Sequence, residues 1–138
     1  MSARDAFHQV VRTALQKEGW KITNDPLEIR WGTVEMYIDL GAEKVIGAER
    51  NGEKIAVEVK SFLGQSTIYE FHLALGQFIN YRSVLQIQEP DRLLYLAVPL
   101  DTYDTFFTLP FTKAIVQQNQ MKLLVYDIDR EAIVQWQN

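Results

Sequence analysis

Apolar and polar residues alternate along this chain with two different periods, and the two periods predict helices and strands in a mixed order. Near the start, apolar residues recur every three to four positions from Phe7 to Leu15, as on one face of a helix. Ser2 and Asp5 have the spacing of a capping box, with aspartate in place of the usual glutamate. The pattern therefore predicts a first helix that begins after Ser2 and ends near Gly19.

Strand patterns occupy the middle and the end of the chain. We expect strands over 20–23, 36–40, 45–50 and 54–60, a buried central strand over 93–98, and a terminal hairpin over 123–126 and 133–136. Asn51-Gly52 predicts a hairpin turn, in a loop of two residues or longer. Ser66 is expected to cap a second long helix, and a helical stretch over 102–118 is expected to break near Pro110.

This order of elements predicts an α/β (α+β mixed) fold, in which helices flank a mixed β-sheet within a single domain spanning 1–138. No run of 18 apolar residues and no secretory leader pattern is present, so we expect no membrane association and a cytoplasmic location. The absence of cysteine excludes disulfides and thiolate chemistry. The net charge of −4 weighs against tight nucleic-acid binding by the whole surface.

The stretch KIAVEVK, residues 54–60, combines a core strand with two charges. Ile55, Val57 and Val59 alternate as a buried face requires, whereas Glu58 and Lys60 occupy the second face. Because residues i and i+2 of a strand face the same side, Glu58 and Lys60 project together. One interpretation is a solvated surface ion pair; the other is a functional site.

Asp39, at the end of the strand expected over 36–40, favours the functional interpretation. If its carboxylate joins Glu58, the two acids repel each other unless a cation holds them. Mg²⁺ (or Mn²⁺) fits, because it binds one or two carboxylates and keeps positions for water and phosphate. Lys60 would then orient or deprotonate a metal-bound water for attack on a phosphodiester.

Ile38-Asp39 followed by Glu58-Val59-Lys60 resembles the motif of the PD-(D/E)-x-K nuclease superfamily, with Ile38 in place of the usual proline. The predicted helix also contains Gln77 and Tyr81, a Q-x-x-x-Y pattern similar to that of nucleases related to the RecB nuclease domain. This resemblance implies a restriction-endonuclease-like sheet and a metal held by Asp39, Glu58 and the carbonyl of Val59. It also implies that Gln77 and Tyr81 border the site.

A closer resemblance covers nearly the whole chain. The segments that are similar to the XisH family, the controlling factors for excision of the fdxN element in cyanobacteria, are 19–26, 38–43, 57–62, 74–77 and 90–97. The resemblance implies a role in site-specific rearrangement of DNA and a small partner protein, XisI. A homodimer is compatible with it, because cutting both strands requires two sites.

Several alternatives stay open. Glu49 on the first arm of the hairpin and His8 on the first helix are further candidates for the site. The protein is either a metal-dependent endodeoxyribonuclease or a catalytically inactive accessory protein that binds DNA or recombination partners. A third hypothesis is an interaction subunit that docks through the terminal hairpin and Trp136.

Overall fold

The computed structural model describes residues 2–31, 34–35 and 45–138, with the backbone alone for 30–31 and 34–35. The helices of the described part are α1 (Ala3–Lys17), α2 (Thr67–Gln88), α3 (Leu100–Thr102) and α4 (Pro110–Gln118), with a π-helical segment at Tyr103–Phe107. The strands are β1 (Lys21–Asn24), β2 (Arg30–Trp31), β3 (Val34–Glu35), β4 (Val45–Arg50), β5 (Glu53–Val59), β6 (Arg92–Pro99), β7 (Leu123–Asp127) and β8 (Ala132–Gln137).

Both long helices begin as the sequence predicts. Ser2 accepts a hydrogen bond from the Asp5 backbone N–H, and the Asp5 carboxylate accepts one from the Ser2 N–H, so the capping box is confirmed. Ser66 caps α2 by accepting a hydrogen bond from the Tyr69 N–H at 3.2 Å.

The hairpin of β4 and β5 turns on two residues. Arg50 pairs with Glu53, and Asn51 and Gly52 between them have φ angles of 51° and 82°. Positive φ at both central positions is the requirement of the type I′ turn, which matches the twist of the flanking strands. The longer loop that the sequence left open is therefore not formed.

Six strands form one mixed sheet in the order β1-β4-β5-β6-β7-β8, and β2 pairs separately with β3. β5, β6 and β7 are parallel to one another, whereas β1, β4 and β8 run antiparallel to their neighbours. α2 connects β5 to β6, as the crossover between parallel strands requires. The predicted mixed α/β architecture is confirmed.

The sheet separates two apolar clusters. On one face, α2 buries Phe71 and Phe78 against strand residues that include Ala56 and Leu96. On the other face, α1 packs against the set that includes Val57. Successive residues of β5 therefore enter different clusters, which is the period-2 alternation read from the sequence.

The stretch after β6 is less regular than predicted. The helix expected over 102–118 begins at Leu100, becomes π-helical at Tyr103–Phe107, and restarts at Pro110. The break near Pro110 is confirmed, because Pro110 occupies the first turn of α4, where its missing N–H costs nothing.

The strand predicted over 36–40, with Asp39, lies outside the described residues. Among the described helices, none has both the length and the apolar character needed to cross a bilayer.

Candidate active site

Glu58 and Lys60 project from β5 and its C-terminal extension toward α2. Ala56, two residues earlier on the strand, belongs to the cluster under α2, whereas Val57 and Val59 belong to the cluster under α1. Glu58 is opposite Val45 of β4 and Leu96 of β6, which both belong to the α2 cluster. The predicted common face of the two charges is confirmed.

The pair is not a solvated surface ion pair. The Glu58 side chain is 1% exposed and the Lys60 side chain 14% exposed, and Lys60 Nζ lies 3.8 Å from Glu58 Oε2. A carboxylate so far removed from water requires a nearby positive charge or hydrogen-bond donors, since desolvation of an isolated charge is costly. Lys60 supplies positive charge at that place.

α2 brings the two residues of the Q-x-x-x-Y pattern to the same region. The Lys60 ammonium donates a hydrogen bond to Gln77 Oε1. Gln77 and Tyr81 lie one helical turn apart, so they share a face of α2. The strand and the helix together place Lys60 between an acid and an amide oxygen.

Tyr81 is buried and close enough to Glu58 to respond to its charge. Burial, together with the negative charge of Glu58, raises the pKa of Tyr81 to about 12. The phenol therefore stays protonated well into the alkaline range and keeps its proton as a donor. Four of the five predicted catalytic residues thus come together in the described structure.

Two contacts that the sequence does not reveal hold the backbone at Lys60. Its N–H donates to the Ala97 carbonyl at 3.0 Å, and its carbonyl accepts a hydrogen bond from the Tyr126 hydroxyl at 2.8 Å. Tyr126 is fully buried on β7, two strands away in the sheet. No local signal in the sequence links Tyr126 to Lys60, because the contact depends on strand order.

The loop between Lys60 and α2 is held by a ring contact and a hydrogen bond. Phe62 adopts a left-handed conformation, with φ of 54°, and its ring packs edge-on against Phe107 at 5.8 Å. The Gly64 N–H donates to Glu70 Oε2 at 2.8 Å. These contacts fix the connection through which β5 and α2 present their side chains to each other.

A divalent cation fits the chemical character of the described donors. Glu58 and the Val59 carbonyl are oxygen ligands of the kind that Mg²⁺ prefers. Within 2–31, 34–35 and 45–138, no three histidine or acidic side chains lie grouped as metal ligands. Asp39, the second predicted acid, lies outside the described residues.

The structure assigns the two alternative candidates to other places. Glu49 is opposite Lys54, with Nζ to Oε1 3.7 Å, whereas Val45 is opposite Glu58, so Glu49 stands about 13 Å farther along the sheet. His8 Nε2 lies 2.8 Å from Asp25 Oδ1, in the α1 layer.

Arg12, one turn after His8 on α1, donates to the other oxygen of Asp25. His8 and Arg12 thus tie α1 to the turn after β1, a contact that accounts for His8 without a role at Glu58. Trp136 likewise faces inward, with its ring 5.9 Å from that of Trp20 and 5.0 Å from that of Tyr95. The side chain is also partly exposed, so docking through the terminal hairpin and Trp136 stays a hypothesis.

The fold and this cluster define a small α/β protein in which a strand carries a buried acid and a lysine against a glutamine on the crossover helix. The family model described as XisH protein matches residues 1–134. This chain belongs to the XisH family.

Two solved structures are similar over nearly the whole chain. The XisH family protein from Nostoc punctiforme PCC 73102 is 60% identical, with a TM-score of 0.89 over 97% of this chain and 100% of that one. The fdxN element excision controlling factor protein from Anabaena variabilis is 62% identical, with a TM-score of 0.89 over 97% of this chain and 99% of that one. The search among curated proteins found no match.

Proposed function

We propose that this protein controls the excision of a DNA element, and that it does so as a metal-dependent endodeoxyribonuclease. The excision role is suggested by the Anabaena variabilis relative, which is named a controlling factor of fdxN element excision. The nuclease role is suggested by the PD-(D/E)-x-K pattern at Asp39, Glu58 and Lys60. The observation that carries it is the position of the Lys60 ammonium between Glu58 and Gln77 in a largely buried cluster.

Each residue has a proposed part in the reaction. Asp39, Glu58 and the Val59 carbonyl would hold Mg²⁺ or Mn²⁺, which when bound supplies positive charge against the charge that grows on the phosphate. Lys60 would position the attacking water by donating a hydrogen bond to it. Gln77 would fix Lys60 and orient the water or the phosphate, and Tyr81 would donate its phenolic hydrogen at the border of the site.

β5 supplies its own controls for a test of this site. Lys54 and Glu53 have the same residue types as Lys60 and Glu58 but lie exposed at the other end of the strand. We expect purified protein to nick supercoiled plasmid with Mg²⁺ or Mn²⁺ and not with EDTA. Lys60→Ala, Glu58→Gln and Asp39→Ala should each lower the nicking rate by about 100-fold or more.

Lys54→Ala and Glu53→Gln should keep wild-type nicking rates, and circular dichroism should show that all five variants stay folded. Nicking that survives in both Lys60→Ala and Asp39→Ala would exclude this site. Nicking by the wild type in EDTA would exclude the metal.

A non-cutting accessory role is the second candidate, and the net charge of −4 favours it, since an acidic domain alone holds DNA weakly at physiological salt. In that case excision in cells would be unchanged by Asp39→Ala and Lys60→Ala.

We propose an XisI-type protein as partner and a homodimer as the cutting form. Co-expression with pull-down, and sedimentation, test these two assemblies.

A further inference from the structure

A cleft of about 1090 Å³ opens at the end of the sheet opposite to Lys60. It is lined by Arg92 and Leu93 at the start of β6 and by Leu123 at the start of β7. β5 runs parallel to β6 with Lys54 opposite Arg92 and Val59 opposite Ala97, so Lys60 follows the far end of β5, beside the last residues of β6. The cleft also lies between the C-terminal half of α2 and α4, and is a place separate from the Glu58–Lys60 cluster.

The charged side chains that line the cleft are all cationic, in a protein that is acidic overall. Arg82, Arg92, Lys113 and Lys122 line it, and no aspartate or glutamate does. Arg92 is neutralised by Glu89, with Nη2 to Oε1 3.1 Å. Among the residues that the structure describes, Arg82, Lys113 and Lys122 form no ion pair with an acidic side chain.

The fold fixes the guanidinium of Arg82 and the backbone of Lys122. Arg82 donates through Nη1 to the carbonyls of Asn119 and Gln120, at 2.7 and 3.2 Å, and its guanidinium lies 5.3 Å from the centre of the Phe78 ring. These contacts use one nitrogen of the guanidinium and orient the others. The Lys122 backbone is fixed because its carbonyl accepts a hydrogen bond from the Leu96 N–H at 2.8 Å.

The rest of the lining suits an organic anion better than a small inorganic one. Tyr103 and Phe107 stack 6.3 Å apart with their planes 3° from parallel, and both line the cleft. Ser83 and Gln117 add neutral polar groups. The volume lies slightly above the usual range for small-molecule sites, which is roughly 300–1,000 Å³.

We propose that this cleft binds the phosphate groups of a nucleotide-sized ligand, with Arg82, Lys113 and Lys122 pairing with the phosphates. The ligand is either a free nucleotide or a short stretch of a nucleic-acid strand, since both present phosphate joined to a nucleoside. The cleft uses no metal and none of the residues proposed to cut DNA, so this inference goes beyond the proposed function.

The test measures binding by fluorescence anisotropy in EDTA at 50 mM NaCl, which removes the metal that the proposed nuclease requires. The probes are a fluorescein-labelled dT12 strand and a fluorescent N-methylanthraniloyl ADP. The double variant Lys113→Glu/Lys122→Glu should weaken binding of at least one probe tenfold or more. For dT12, the slope of log K against log salt should become shallower by about 1.4, since roughly two phosphate contacts are lost.

The matched control is Lys21→Glu/Arg130→Glu, which changes the net charge equally at exposed positions outside the cleft. It should change both affinities less than twofold, and thermal melting should show all variants folded. Loss confined to dT12 identifies a strand as the ligand, and loss confined to the ADP probe identifies a free nucleotide. Binding of neither probe by the wild type, or equal loss in the control, overturns the proposal, whatever the outcome of the nicking assay.

Discussion

At the scale of single residues, Lys60 is surrounded by groups that keep its ammonium in one place. Its side chain contacts Glu58 and Gln77, and its backbone is held by Ala97 and Tyr126. A flexible lysine loses side-chain entropy when it is fixed in this way. A site that must aim one hydrogen at a reacting atom gains from that loss, because positioning a group before the reaction lowers the barrier.

The coupling of Tyr81 to Glu58 can be measured directly. Glu58→Gln removes the negative charge, so the pKa of Tyr81 should fall from about 12 and keep only the part of its rise that burial causes. Absorbance at 295 nm during alkaline titration, compared with Tyr81→Phe to assign the signal, reads this pKa. Glu49→Gln is the control, and an unchanged Tyr81 titration in Glu58→Gln would contradict the contact.

The same phenol predicts a loss of stability at alkaline pH. The pKa of Tyr81 is raised in the folded state from the ordinary 10.0, so its contribution to stability is complete below pH 10 and is lost as pH rises through about 12. Urea unfolding at pH 9 and pH 11.5 should show a drop in the free energy of unfolding that is about 2 kcal/mol smaller in Tyr81→Phe than in wild type. Equal drops in both proteins would contradict the raised pKa.

Part of the candidate active site could be predicted from the sequence. Period-2 alternation in KIAVEVK places Glu58 and Lys60 on one side, and the spacing of Gln77 and Tyr81 places them on one helical face. The burial of Glu58 could not be predicted from the sequence, because it depends on how α2 packs over β5. The hydrogen bond from the Tyr126 hydroxyl to the Lys60 carbonyl could not be predicted either, since it joins residues 66 positions apart.

At the scale of elements, two glycines with open space around them have opposite roles. Gly52 lies in the hairpin turn with φ of 82°, whereas Gly76 lies inside α2, and an added Cβ at either position meets nothing within 4 Å. An alanine at either position would therefore not collide with neighbouring atoms. What remains is the backbone preference of each position.

We expect Gly52→Ala to lower the free energy of unfolding by about 1 kcal/mol, because alanine is strained at positive φ. Gly76→Ala should raise it by about 0.8 kcal/mol, because alanine favours the helix and restricts the unfolded chain. Urea unfolding at pH 7 gives both values. Changes of the same sign would show that factors other than the local backbone decide stability at one of these positions.

Turn and cap chemistry made these elements predictable, and its absence explains the errors. Asn51-Gly52, Ser2 and Ser66 each mark a boundary through a local hydrogen bond or φ requirement. The π-helical segment at Tyr103–Phe107 has no comparable marker. Its aromatic rings pack with Phe71 and Phe62, contacts that depend on the tertiary fold.

At the scale of the whole molecule, the first helix and the last strand close on each other. Lys17 Nζ donates to the Arg130 carbonyl at 3.0 Å, and Trp136 Nε1 donates to Glu18 Oε1 at 2.9 Å. Trp136 also covers Trp20 and Tyr95. These contacts connect the two ends of the described chain across the α1 face of the sheet.

Trp136→Ala should therefore lower the free energy of unfolding by about 2 kcal/mol, roughly half the cost of removing a fully buried tryptophan because this ring is partly exposed. Val134→Ala, two residues earlier on β8 and exposed, is the matched control and should change it by less than about 0.5 kcal/mol. Thermal or urea unfolding measures both. A negligible effect of Trp136→Ala would mean that the terminal strand contributes little to the α1 layer.

The architecture was predictable at this scale from element order, and the apolar run of β6 indicated a central strand buried on both faces. The strand order was not, because neighbours such as β6 and β7 are separated in the sequence by a whole helical segment. The cationic cleft is hidden for the same reason. Arg82, Lys113 and Lys122 are scattered in the sequence and meet only when α2, α4 and β7 have packed.

The connection from β5 through the braced loop into α2 has a consequence for how such a site can change over time. Glu58, Lys60, Gln77 and Tyr81 all belong to one uninterrupted stretch of chain, between positions 58 and 81. Their mutual geometry can therefore be inherited, or moved into another scaffold by grafting, as one cassette. The surrounding layers can then diverge as long as they keep the two contacts that Ala97 and Tyr126 make with the Lys60 backbone.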